Sequence, residues 1–284
     1  MNEKAGKYMG WMNKLPIIID PDDSDIIYLG HLMGVSISKD GGKTWDKKKV
    51  APGICNLYMN PNNKKELVAG SAQAGGSGGV YIGKDGGETW EQKLKNRTVQ
   101  AVDVDPTDFR MMYAGTNTGN MEKSNDGGLT WRSKKPAKDE NLSQMPNILG
   151  ITINPVQPNV ILLAANLSGV FISTDGGETW NPSSTGSNID RDIKYNPTNP
   201  SEIWGISNPN FGLAGGAGSK VYFSNDAGKK FIDVGADETI TDFNKRQYDG
   251  RNAKFNSIYF SPDGKRVYLC TSTGVIYTDS RVVE

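Results

Sequence analysis

One octapeptide returns four times, and its return constrains the fold more than any other feature of the chain. It reads SKDGGKTW at 38–45, GKDGGETW at 83–90, SNDGGLTW at 124–131 and STDGGETW at 173–180, with a decayed copy, SNDAGKKF, at 224–231. The aspartates are Asp40, Asp85, Asp126, Asp175 and Asp226, spaced by 45, 41, 49 and 51 residues. Periods of this length belong to propeller blades and to arrays of repeated units. A second element precedes each box: an apolar stretch ending in Asp-Pro, Asn-Pro or Ser-Pro. It occurs six times, as IIIDP (17–21), LYMNP (57–61), VDVDP (102–106), ITINP (151–155), IKYNP (193–197) and IYFSP (258–262).

After each Pro comes a short polar turn, another apolar run, and then, in most copies, Gly-Val with alternating residues, as in GVSIS, GVYIG and GVFIS. Such runs are short, rich in Val, Ile and Tyr, and bounded by Pro, Gly, Asn and Asp, so they read as strands. No segment has a capped 3.6-residue period. Each unit is therefore four strands: A ends at the Pro, B follows, C runs into the box, and D starts at its Trp. A lone four-stranded sheet leaves two faces uncovered, and radial stacking of such sheets covers both. The expectation is an all-β, six-bladed β-propeller of four-stranded antiparallel blades, one domain over residues 1–284. The sixth unit has A, B and C but no box Trp, so Lys7–Met12 is expected to supply its D strand and close the ring.

The box S/T-x-D-x-G-x-T-W resembles the Asp box of bacterial neuraminidase-type repeats, the β-propeller superfamily that includes sialidases and xyloglucanase-type propellers. The residues explain the motif by themselves. An Asp accepts backbone N–H groups within its own turn, Gly supplies positive φ without steric cost, and an aromatic side chain packs between sheets. Asp40, Asp85, Asp126, Asp175 and Asp226, with Trp45, Trp90, Trp131, Trp180 and Phe231, are thus read as scaffold. The resemblance places these turns on the face away from a substrate site. Asp22, Asp23 and Asp25 share that face, where a solvated turn outweighs a calcium loop.

Binding is expected at the opposite end, where the D–A and B–C connections vary in length. The long ones are Gly70–Gly79, Lys134–Gly150, Gly205–Lys220 and Asp233–Ser257. Loop elaboration on one face of a rigid scaffold is where binding residues gather. The strand A entrances bring Lys14, Asn56, Gln100, Arg191 and Asn256 to that end, and His31 lies in the first B–C connection. Asp190, Arg191 and Asp192 form the most charged entrance. Arg246, Asp249 and Arg251 lie in a neighbouring loop with Asp237, Glu238 and Asp242, while Phe211 and Tyr248 offer surfaces on which a sugar ring could stack.

Composition removes whole classes of function. The chain has 32 basic and 32 acidic residues, one His and two Cys. No charge excess invites a nucleic acid, no apolar run approaches the 18 or so residues of a membrane span, and no closed His/Cys metal site can be assembled. Neither a metal nor another cofactor is expected. Cys55 and Cys270 fall in non-adjacent units and are not expected to pair.

The resemblance implies three precedents. Sialidases carry an Arg-Ile-Pro motif entering blade 1, where this chain has Lys14-Leu15-Pro16, and Lys lacks the guanidinium fork that clamps a carboxylate. Xyloglucanase-type enzymes work with two Asp in a cleft between two propellers, of which this chain holds one; Asp190, Asp192 and Asp249 are the candidate catalytic carboxylates. Other Asp-box propellers only bind. The expected function is a glycan- or protein-binding propeller without catalysis, with polysaccharide- or sialoside-cleaving glycoside hydrolase as the alternative. The opening MNEKAGKYMGWMNK lacks the apolar core of a secretory leader, whereas the resembled families are mostly extracellular. A secreted or cell-surface protein is expected, with cytoplasmic or virion-associated as alternatives.

Overall fold

A computed structural model describes residues 16–136, 147–166, 168–183, 189–207, 220–234, 255–271 and 275–279. It is built from antiparallel strands, with no α-helix among the described residues. The strands form six separate meander sheets, five of four strands and one of three. The chain divides into two compact units, residues 1–134 and 135–284.

The first unit holds three blades. Blade 1 is β1 (Ile17–Ile19), β2 (Ile26–His31), β3 (Gly34–Lys39) and β4 (Asp46–Lys48); blade 2 is β5 (Ile54–Asn60), β6 (Asn63–Ser71), β7 (Gly79–Gly83) and β8 (Glu91–Lys95). Blade 3 is β9 (Val99–Val104), β10 (Met112–Thr116), β11 (Met121–Ser124) and β12 (Arg132–Lys134). The second unit holds the other three. Blade 4 is β13 (Ile148–Ile153), β14 (Ile161–Ala165), β15 (Gly169–Ser173) and β16 (Asn181–Pro182), and blade 5 is β17 (Asp192–Tyr195), β18 (Ile203–Ser207), β19 (Lys220–Ser224) and β20 (Ile232–Asp233). Blade 6 is β21 (Phe255–Phe260), β22 (Arg266–Thr271) and β23 (Val275–Asp279). Residues 7–12, expected as its fourth strand, lie outside the described residues.

Within each unit the blades stack face to face, and the alternation of apolar side chains supplies the seams. Tyr28, Val35 and Ile37 of blade 1 pack on Ile54, Leu57 and Leu67 of blade 2. On the other face of blade 2, Val68, Val80 and Leu94 meet Val99, Val102 and Met112 of blade 3. In the second unit, Leu162 and Val170 of blade 4 meet Ile193, Ile203 and Tyr222, and Trp204, Ile206 and Phe223 meet Ile258, Val267 and Leu269 of blade 6. Period-2 alternation gives every inner blade two apolar faces, so each is covered on both sides.

The two recurring motifs fold as local chemistry dictates. At five of the six A–B turns the residue before Pro caps the bend with its own side chain, Asp20 Oδ1 accepting the Asp22 N–H in blade 1. Asn60 Oδ1 accepts the Asn62 N–H at 2.9 Å, Asp105 Oδ1 that of Thr107 at 2.7 Å, Asn154 Oδ1 that of Val156 at 3.0 Å, and Asn196 Oδ1 that of Thr198 at 2.9 Å. The intervening residue needs no donor, hence Pro in all six copies. At each C–D turn the box Asp does the same work on a larger loop. Asp40 Oδ1 accepts the Thr44 N–H at 2.8 Å, and Oδ2 accepts the Thr44 hydroxyl at 2.5 Å. Ser38 Oγ takes the Gly42 N–H at 2.8 Å, which is possible because Gly41 and Gly42 turn with φ of 70° and 86°. In the decayed box, Ala227 is forced to a φ of 61°.

Candidate functional site

The box aspartates are tied up by their own turns. Hydrogen bonds from the Thr44 and Thr130 side chains, then from their backbone N–H groups, hold the Asp40 and Asp126 carboxyls down at about 2. The Thr179 hydroxyl and N–H push Asp175 lower still, and Thr89 does the same for Asp85 in milder degree. Trp45, Trp90 and Trp131 each donate Nε1 to the carbonyl of the second box Gly, at 3.0, 2.9 and 3.1 Å. Trp90 and Trp131 also lean on the seams between blades. Phe231 is buried in the seam of blades 4 and 5. The acidic turn of blade 1 is equally occupied: Asp20 and Asp23 accept the N–H groups of Asp22 and Asp25, and Lys64 pairs with Asp20 and Asp22. No group of three metal-ligating side chains occurs among the described residues.

At the opposite end of the blades, the first unit holds His31, Asn56 and Gln100. His31 is half-buried. Its Nδ1 accepts the Met33 N–H at 3.1 Å, so the proton sits on Nε2, 2.9 Å from Ser36 Oγ. Burial, and then the charge of Lys47, lower its pKa, so the ring is held neutral. Asn56 and Gln100 are brought together, with Asn56 Nδ2 donating to the Gln100 carbonyl at 3.3 Å. The Cys55 thiol beside them lies 3.3 Å from the Val99 carbonyl, and both cysteines are free thiols.

The glycine-rich connection of blade 2 does not reach outward as a lobe. It makes a short 3₁₀ turn at Gly75–Ser77 and is strapped to its own blade. Gln92 Nε2 donates to the carbonyls of Gly76 and Gly78 at 2.8 and 3.0 Å, and the Tyr81 hydroxyl donates to that of Ser77 at 2.8 Å. Gly79 is obligatory, since its φ is 142° and a Cβ there would lie 1.8 Å from the Leu94 carbonyl oxygen.

Beside this loop stands a pair that the sequence reading passed over. Glu122 on β11 is 2 % exposed, and its Oε1 accepts from Arg97 Nε at 2.9 Å and from Ser133 Oγ at 3.2 Å. The legible signal was a break in the repeat: at this strand C position the sibling blades carry Ser36, Tyr81, Phe171 and Tyr222.

In the second unit, the charged entrance to strand A of blade 5 is buried. Asp190, Arg191 and Asp192 are 6, 4 and 1 % exposed. Asp192 Oδ2 accepts the Ile258 N–H of β21 at 3.1 Å and so pins blade 6 to blade 5. Its charge is felt by neighbours: burial, and then Asp192, raise the Tyr259 hydroxyl far above the usual phenol range. Asn256 is half-buried at the start of β21. Lys14, Phe211, Asp237, Glu238, Asp242, Arg246, Tyr248, Asp249 and Arg251 lie outside the described residues.

Residues 119–282, more than half of the chain, match the family model described as sortilin, neurotensin receptor 3. The chain belongs to the Sortilin-Vps10 family. It is also similar to Xyloglucanase Xgh74A of Acetivibrio thermocellus, at 29 % identity over 96 residues, which are 27 % of this chain and 11 % of that enzyme. Among solved structures, the Niastella koreensis GH74 enzyme superposes with a TM-score of 0.71 at 20 % identity, covering 96 % of this chain and 46 % of that one. YCF48 bound to D1 peptide superposes with a TM-score of 0.52 at 15 % identity, covering 93 % of this chain and 96 % of that one. The Sortilin-Vps10 member described here thus spans about a tenth of its curated relative and less than half of the GH74 enzyme. At such identities the structural likeness is one of fold: a β-propeller of the sialidase and xyloglucanase type.

Proposed function

We propose that this chain binds a glycan without cleaving it, on the blade ends that carry the D–A and B–C connections. One observation carries the choice of binding over hydrolysis: the Asp190 and Asp192 carboxylates sit inside the protein, and Asp192 is spent on a neighbouring blade's backbone. Glycoside hydrolysis needs two carboxyls that reach opposite sides of the glycosidic bond, roughly 5 to 9.5 Å apart. Groups 6 and 1 % exposed do not meet that demand. The match to a xyloglucanase supports a polysaccharide as the ligand class, and a polysaccharide ligand in turn supports a secreted or cell-surface location. Balanced charge suits a ligand recognised through hydrogen-bond geometry rather than through a strong electrostatic field.

The test is binding and turnover on the same preparation. Glycan-array and affinity-gel electrophoresis on the full chain should show retention by at least one polysaccharide with no reducing ends released. Release of reducing ends that disappears in Asp249→Asn or Asp190→Asn establishes the hydrolase instead. Silence towards glycans with co-purification of one defined protein establishes protein binding.

A further inference from the structure

Glu122 has a consequence outside the scaffold. Burying a carboxylate costs solvation, and an ion pair in such a place is commonly no more stabilising than well-packed apolar side chains. Four sibling blades fill the same position without a charge. What Glu122 accomplishes is to hold Arg97. The Arg97 side chain is 42 % exposed, with Nε on Glu122 at 2.9 Å and Nη1 on the Asn96 carbonyl at 3.2 Å. Among the described residues, Nη2 has no partner. The backbone beneath is clamped from both sides. Asn96 adopts a φ of 56°, and Gly78 is so close that a Cβ there would lie 2.4 Å from the Arg97 carbonyl oxygen. The Asn117 N–H donates to the Thr98 carbonyl at 3.1 Å, and Asn117 and Thr118 are exposed. Strained backbone and a guanidinium fixed from behind are features of a pre-organised receptor.

We propose that Arg97 receives the carboxylate of an acidic sugar, a uronate unit in the polysaccharide this chain binds. The inference rests on the glycan reading and specifies its chemistry. A guanidinium presents its N–H groups in a plane that fits a carboxylate. Arg97 and Glu122 together sum to no net charge, so the site offers hydrogen-bond geometry rather than a positive field. That favours a singly charged group over a phosphate or a highly sulfated polymer, whose capture depends on the field. The exposed amides and hydroxyl of Asn96, Asn117 and Thr118 match ring hydroxyls. Arg97 makes the contact, and Glu122 is a positioning residue.

The probe is a galacturonate hexamer, titrated calorimetrically into the full chain beside the same hexamer after carboxyl reduction. The acidic oligomer is expected to bind at least tenfold more tightly than the reduced one. Arg97→Lys, at a half-exposed position, should abolish that preference, so that the acidic and the reduced oligomers bind alike. Glu122→Gln, nearly isosteric, should erode the preference in the same way; should it not fold, Arg97→Lys decides alone. Equal binding of the two oligomers by the wild type, or an undiminished preference in Arg97→Lys, overturns the proposal while glycan binding stands. Failure to bind these or any neutral polysaccharide overturns both. An acidic peptide that binds through Arg97 more tightly than the hexamer overturns the assignment to sugar.

Discussion

The carboxylate of Asp192 offers the sharpest test of how the second unit is held together. It is 1 % exposed and accepts the Ile258 N–H at 3.1 Å, linking β17 of blade 5 to β21 of blade 6. Ile258 is itself 1 % exposed, so water cannot replace the acceptor. Replacing Asp192 by Ala removes a hydrogen bond to a charged group and strands a buried donor, each worth about 1–3 kcal/mol. The two overlap, so a loss of about 3 kcal/mol is expected. At roughly 2–4 °C per kcal/mol for domains somewhat smaller than this chain, the melting temperature should fall on the order of 5 °C or more. Asp192→Asn keeps an acceptor oxygen of the same reach and should cost about 1 kcal/mol or less. Differential scanning calorimetry orders the variants, and amide exchange at Ile258 reports the bond directly: fast in Asp192→Ala, protected in Asp192→Asn. If both variants melt with the wild type and Ile258 stays protected in Ala, the bond does not hold the blades. A loss of ligand binding in a fully stable Asp192→Asn would return this residue to the functional surface.

Three further outcomes follow from the same geometry. Ala227→Gly should stabilise by about 0.5–1 kcal/mol, because Ala227 is held at a φ of 61° where only glycine is unstrained, and thermal melts will show it. Gly79→Ala should leave little folded protein, since the new Cβ would meet the Leu94 carbonyl oxygen at 1.8 Å; a soluble monomer with native circular dichroism would contradict this. His31 predicts an acid limb. Its folded pKa is lowered, so the unfolded chain binds the proton first, near its ordinary value of about 6.5. The stabilisation is whole above that pH and is lost as pH falls from about 6.5 towards the lower folded value. Urea midpoints measured down this range should fall less steeply in His31→Gln than in the wild type.

The fold was readable because its determinants are local and repeated. The Asx bends at Asn60, Asp105, Asn154 and Asn196, and the box turns at Asp40, Asp85, Asp126 and Asp175, need only residues within four positions of one another, so a motif in the sequence is already a turn in space. The candidate site was readable only in part, because its chemistry depends on burial. Asp190, Arg191 and Asp192 look like an exposed charged rim when aligned on the following Pro. Alignment cannot reveal that the Ile258 N–H, 66 positions away, needs one of those carboxylates. His31, placed at the binding end by its position in the first B–C connection, has both ring nitrogens engaged within five residues of it.

Repetition also provides a control that a single sequence ordinarily lacks. Each blade solves the same packing problem, so a residue that departs from its siblings at a matched position, without a packing reason, points to a different task. Gly83 departs from Ser38, Ser124 and Ser173, and its box forgoes the Ser Oγ that accepts the second Gly N–H, but a Cβ at 83 would lie 3.0 Å from the Thr89 carbonyl oxygen. That departure is packing. Ala227 departs from four glycines and gains nothing visible, which is why reverting it should stabilise. Glu122 departs from Ser36, Tyr81, Phe171 and Tyr222, buries a charge, and uses it to fix an arginine at the surface. Of the three, only Glu122 spends stability on the geometry of an exposed side chain. On that comparison the blade 3 entrance, more than the buried carboxylates of blade 5, is where mutational work should begin.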